Sequence, residues 1–181
     1  MGVVGMRRCI EARRFTHNGR TTVRIGVTGH SNLTSSSEPV IASAIRAVLD
    51  GLSAPVLGMT CLARGADRVF ARTVLDAGGE IEVVLPAADY RSQRVDAAER
   101  AGFDELVAAA STVVTMPFAS SCREAYEAAN DHVLAHVQQL VAVWDGSPPN
   151  GRGGTADAVQ RAHAAGVDVV VVWPAGAVRE R

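Results

Sequence analysis

Short apolar runs alternate along this chain with amphipathic stretches of ten or more residues. Val23 to Thr28 is β-branched and apolar, which predicts a first strand ending in Gly29-His30-Ser31-Asn32. Val40, Ile41, Ala44, Ile45, Val48, Leu49 and Leu52 then recur at i, i+3, i+4 and i+7, the spacing of a helix lying on a sheet. Ser35-Ser36-Ser37-Glu38-Pro39 marks its start. Pro39 lacks an N–H and belongs in the first turn, so Ser36 or Ser37 is the expected N-cap.

The alternation continues. Pro55 to Met59 reads as a second strand, followed by the loop Thr60-Cys-Leu-Ala-Arg-Gly-Ala-Asp67 and a helix through Leu75 that Gly78-Gly79 ends. Ile81 to Leu85 is a third strand, closed by Pro86. Ala87 to Asp96 carries Asp89, Tyr90, Arg91, Ser92 and Arg94 and reads as a loop, either a solvated surface or a flap over a site. Ala97 to Ala110 is helical, Thr112 to Met116 a strand and Arg123 to Val137 a helix. Leu140 to Trp144, a helix to about Ala165 and the valine run Val167 to Trp173 complete the pattern. Strands joined by helices of this length need crossover connections, and strands apolar on both faces need covering on both sides. The expected architecture is a three-layer α/β Rossmann-like sandwich with a mainly parallel sheet of about six strands. Residues 1–21, which show no period, read as a leader, 22–176 as a single domain and 177–181 as a tail.

In such sheets ligands collect beyond the carboxyl ends of the strands. The richest of those ends is Val141-Ala-Val-Trp-Asp145-Gly146 with Gly151-Arg-Gly153-Gly154-Thr155 behind it. Glycines allow backbone N–H groups close to an anion, and a helix start adds unpaired donors and the positive end of a dipole. This arrangement suits a phosphate. A strand-to-helix connection that needs only glycine dihedrals is the plainer alternative. Asp145 directly follows a buried strand and precedes a glycine, where bound groups commonly sit.

Composition narrows the partners. The 181 residues are 48% hydrophobic and 20% charged, the balance of a globular domain of one core. Net charge is −1 and aromatics are 4%, so neither a basic field nor stacking platforms point to nucleic acid. No apolar run approaches membrane-spanning length, and Cys9, Cys61 and Cys122 are widely spaced and odd in number. A cytoplasmic protein with free thiols, without membrane attachment, is expected. His132 and His136 stand at i, i+4 like a zinc pair, but the residues between them are Val-Leu-Ala and no third ligand suggests itself, so no metal is expected.

Three segments, Ile25-Gly-Val-Thr-Gly29-His30, Ala63-Arg-Gly65-Ala66-Asp67, and Trp144-Asp145-Gly146 with Gly151-Arg-Gly153-Gly154-Thr155-Ala-Asp157, together resemble the SLOG (SMF/DprA–LOG) Rossmannoid superfamily, and they occur in its order. The resemblance spans about residues 23–174. It implies a nucleotide or nucleotide-derived ligand on the glycine loop, commonly in a homodimer, with no further cofactor. LOG members cleave the N-glycosidic bond of nucleoside 5′-monophosphates. That chemistry needs phosphate anchoring and carboxylates near the sugar, for which the resemblance offers Asp145 and Asp157. The LOG catalytic Glu, however, aligns with Ala158, and its Arg-Lys pair with Ala129 and Asn130. Asparagine supplies no charge for a bidentate clamp. The reading is a nucleotide-binding sensor or carrier, with an altered LOG-type phosphoribohydrolase or a DprA-like nucleic-acid module as alternatives. The ligand-binding set is Gly29, His30, Gly65, Asp67, Asn130, Asp145, Gly146, Gly151, Gly153, Gly154 and Thr155. For Asp67, capping of the following helix is the competing role.

Overall fold

A computed structural model of the chain describes residues 15–17, 19–148 and 154–180. Its strands are β1 (Phe15–His17), β2 (Arg20–Gly29), β3 (Val56–Thr60), β4 (Glu80–Leu85), β5 (Thr112–Thr115), β6 (Gln139–Val143) and β7 (Asp168–Val171). The helices are α1 (Glu38–Asp50), α2 (Ala66–Asp76), α3 (Tyr90–Arg94), α4 (Arg100–Ala109), α5 (Arg123–His136) and α6 (Thr155–Ala164). The sheet runs β5-β4-β3-β2-β6-β7 and is parallel throughout, with β1 added antiparallel to β2. This is the expected Rossmann-like sandwich.

The two helical layers follow from the period-two alternation of the central strands. Ile25, Ile81, Val83, Val141 and Val143 pack with Ile41 and Ile45 of α1, Phe70 and Val74 of α2 and Phe103 of α4. Met59, Val84 and Leu140 face the other way and meet Ala129 and Val133 of α5 and Ala162 of α6. Chain order reverses between β2 and β6: from β2 the sheet grows through β3, β4 and β5 on one side, then resumes with β6 on the other. Connections leave the two strands in opposite directions, so a crevice opens beyond their carboxyl ends.

Four details depart from the sequence reading. The stretch read as leader supplies a hairpin, with Phe15, Thr16 and His17 opposite Thr22, Thr21 and Arg20. Pairing of β2 with β3 begins only at Val23, so the earlier residues of β2 take β1 as partner. Within Ala87 to Asp96 lies the five-residue helix α3, too short to show a period. It is pinned by buried Tyr90 against Phe103 and Tyr126. Ser37 does occupy the N-cap of α1, but its hydroxyl makes no capping bond and instead donates to the Val178 carbonyl at 2.8 Å. The tail residues Val178 to Glu180 are thereby laid along the segment after β2. The Val178 N–H donates to Ser37 Oγ, Glu180 N–H donates to the Asn32 carbonyl, and Leu33 bridges Arg179 antiparallel.

Gly29 closes β2 at the reversal. A Cβ there would meet Ala66 Cβ at 2.5 Å and the Val143 Cβ and carbonyl oxygen at 2.8 Å. Neither neighbour is a flexible chain end. Gly29→Ala is therefore expected to cost about 1–3 kcal/mol by overpacking and to lower Tm by several degrees. A thermal melt within ~1 °C of wild type would contradict this packing.

Candidate functional site

The carboxyl ends of β2 and β6 lie side by side because Gly29 pairs with Val143 and the His30 N–H continues the ladder to the Val143 carbonyl at 3.1 Å. The next residues on each strand are thus His30 and the pair Trp144-Asp145. His30 Nε2 stands 3.0 Å from Asp145 Oδ1 and 3.3 Å from the Asp145 backbone nitrogen, and its ring meets Trp173 edge-on at 5.5 Å. Asp145 Oδ1 also accepts the Ser147 N–H at 3.0 Å and its hydroxyl at 2.6 Å. Asp145 Oδ2 accepts Arg179 Nε–H at 2.7 Å. Desolvation pushes this carboxyl up, but the Ser147 hydroxyl and N–H, the Arg179 guanidinium and His30 outweigh it and hold the group well below the usual carboxylate range.

These groups border a cavity of about 680 Å³. His30, Ser147 and Arg179 line one part of it; Gly154, Thr155, Ala156 and Ala158 at the start of α6 line another. The first N–H groups of a helix have no intrahelical acceptor, so this wall offers donors. Tyr90, Tyr126 and Asn130 contribute aromatic and amide surface, and an Arg94 guanidinium lies 6.0 Å from the Tyr126 ring centre.

Asp67 also reaches the wall, though its carboxylate works for the fold. Its Oδ2 accepts the Thr60 hydroxyl at 3.1 Å and the N–H groups of Cys61 at 3.1 Å and Ala63 at 3.4 Å. It holds the β3–α2 loop from within the first turn of α2 rather than capping that helix. Burial pushes the carboxyl up to about 6, against the lowering effect of those hydrogen bonds and of Arg68.

The sequence-derived set divides accordingly. Gly29, His30, Asp67, Asn130, Gly154 and Thr155 come together on the cavity wall. Gly65 does not reach it: with φ +76° it packs where a Cβ would stand 2.6 Å from the His30 carbonyl, a backbone role. Gly146, at φ +79°, makes the turn that returns Ser147 to Asp145. Gly151 and Gly153 lie outside the described residues. Of the two acids offered for catalysis, Asp145 is engaged by His30, Ser147 and Arg179. Asp157 sits half-buried on α6 between Ala156 and Ala158, the residues that this helix turns to the cavity beyond Thr155. His132 and His136 stack at 4.3 Å on α5, His132 facing Glu82 at 3.9 Å. Among the described residues no three His, Cys, Asp or Glu side chains group as metal ligands. Arg179, like Ser147 and Tyr90, lines the cavity but lies outside the sequence-derived set. It belongs to a stretch without periodicity, and its place depends on pairing with Leu33, far away in the chain.

No family model matches the sequence, and no curated protein does. Among solved structures, DNA processing protein A from Streptococcus pneumoniae shares the fold with a TM-score of 0.63 at 15% identity, over 86% of this chain and 52% of that one. This chain thus spans about half of that protein. The Moco carrier protein from Chlamydomonas reinhardtii shares it with a TM-score of 0.53 at 20% identity, over 83% and 76% of the two chains. The molybdenum cofactor binding protein from Rippkaea orientalis does so at 0.53 and 16%, over 83% and 76%. The Rossmann-like α/β fold expected from the sequence is the fold of this chain, and these structures share it. Among the described residues no helix is long and apolar enough to cross a membrane.

Asp67 gives this site a measurable pH signature. Its proton is held more tightly in the folded than in the unfolded protein, so the associated stability is full below an ordinary 3.8 and lost as pH rises through about 6. The decline is expected to be on the order of 2–3 kcal/mol. Denaturant unfolding of wild type and Asp67→Asn across this range measures it: the variant should lack that component of the slope. Parallel pH profiles would contradict the assignment.

Proposed function

We propose that this protein binds a nucleotide or nucleotide-derived small molecule and retains it intact, as a carrier or sensor. The observation that carries this reading is the cavity of about 680 Å³ at the chain-order reversal, bordered by the start of α6, by Arg179 and by aromatic and amide side chains. Its size suits a small organic ligand. Backbone donors suit a phosphoryl group, while Tyr126, Trp144 and Asn130 suit the faces and polar edges of a planar ring. The likeness of fold to proteins named for carrying or binding the molybdenum cofactor supports a carrier role.

Retention rather than hydrolysis follows from the carboxylates. N-glycosidic cleavage needs an acid at the sugar or at the attacking water. Asp145 is committed to four contacts, and the position of the LOG glutamate presents the Ala158 methyl. One observation favours the hydrolase as a second reading: the Asp67 carboxyl, pushed up to about 6, lies on the same wall. A nucleic-acid role draws support from the likeness to the DNA-processing protein, but net charge −1 and 4% aromatics argue against it.

Thermal unfolding with AMP, ADP-ribose or a cyclic nucleotide tests the reading. A nucleotide at 100-fold its Kd should stabilise the fold by about 2.7 kcal/mol, a rise in Tm of roughly 5–10 °C. AMP should remain intact on prolonged incubation. No shift with any of these ligands would overturn the proposal, and adenine release that is lost in Asp67→Asn would replace it with the hydrolase.

A further inference from the structure

We infer that Arg179, carried in by the C-terminal segment, is the residue that recognises the anionic group of the ligand, and that Asp145 aims it. This deepens the nucleotide-binding reading and rests on it only for the identity of the organic part.

The segment is fastened by its backbone. The Val178 carbonyl accepts the Thr34 N–H at 3.3 Å and the hydroxyl of Ser37, which is fully buried. The Val178 N–H returns a bond to Ser37 Oγ at 2.7 Å. Glu180 is held on both sides, by its N–H to the Asn32 carbonyl at 2.7 Å and by its carbonyl from Asn32 Nδ2. Arg179 lies between these clamps, with its backbone fixed and its side chain directed across the reversal to the β6 end.

There the guanidinium is oriented by one face of its fork. Nε–H donates to Asp145 Oδ2 at 2.7 Å and an Nη2 hydrogen to Ser147 Oγ at 3.3 Å. A guanidinium carries five N–H donors. The described contacts use two, and Arg179 also lines the cavity, so the donors of Nη1 and the second Nη2 hydrogen remain for an anion there. A planar edge of two parallel N–H donors fits two oxygens of a phosphoryl group or a carboxylate. The chain here spans the gap between two loops to bring a half-exposed cation to a carboxylate that also meets Ser147 and His30. A surface ion pair alone would contribute little to stability. An oriented arginine beside the start of α6 fits an anion of the phosphoryl class.

The test compares wild type with Arg179→Gln and Arg179→Lys in the full chain, by calorimetric titration with pyrophosphate, AMP and adenosine. The fastening bonds are made by residues 178 and 180, so the substitutions leave them in place, and unliganded Tm values verify this. Arg179→Gln should weaken pyrophosphate and AMP about ten- to hundred-fold while changing adenosine less than about three-fold. Arg179→Lys should restore only part of the loss, since a point charge replaces a fork. Pyrophosphate binding through Arg179 without any nucleotide binding would uphold this site and overturn the nucleotide reading. Equal affinities in wild type and Arg179→Gln, an equal loss for adenosine, or no binding of any probe would overturn the inference.

Discussion

The site depends on one constraint of backbone hydrogen bonding: β2 and β6 are parallel neighbours whose connections depart in opposite directions. Register then does the rest. With Gly29 opposite Val143, the residues that follow the two strands come side by side, and His30 meets Asp145, two past the end of β6. Gly29 permits the approach because a larger residue would strike α2 and the β6 backbone. The crevice is thus a product of the sheet, and the side chains around it are recruited to a place that the topology has already opened.

The recruited groups are tied together more tightly than a simple binding loop would need. Asp145 gathers a histidine from β2, a serine from its own loop and an arginine from the end of the chain. Its role is organisational. A carboxylate with so many donors stays ionised. Asp67 is the opposite case. Burial raises it, and its hydrogen bonds hold the β3–α2 loop against the cavity. The two acids sit on the same rim with affinities for the proton moved in opposite directions by burial and by donors, which is why their roles cannot be exchanged.

This division also bears on what separates a binding protein from a hydrolase within one architecture. A Rossmannoid with this crevice can host either, because the fold provides the place and the residues provide the chemistry. Here the methyl of Ala158 and the amide of Asn130 lie on the cavity wall, and Arg179 reaches that wall from a distant part of the chain.

Much of this was legible from the residues alone. Apolar runs and amphipathic stretches determined the elements, their alternation required a parallel sheet covered on both faces, and glycine-rich strand ends marked the functional edge. Gly29, His30, Asp67, Asn130, Gly154 and Thr155, singled out from the sequence, line one cavity. What tertiary structure alone decided is which distant groups meet: Arg179 with Asp145, Ser37 with Val178. Those contacts carry no periodic signature, since each depends on a single long-range pairing rather than on a repeated pattern. Gly65 and Gly146 show the same limit from the other side. A glycine's sequence context announces that the backbone needs freedom there, but only the packed chain reveals whether that freedom serves a ligand or, as at Gly65, the close approach of the His30 carbonyl.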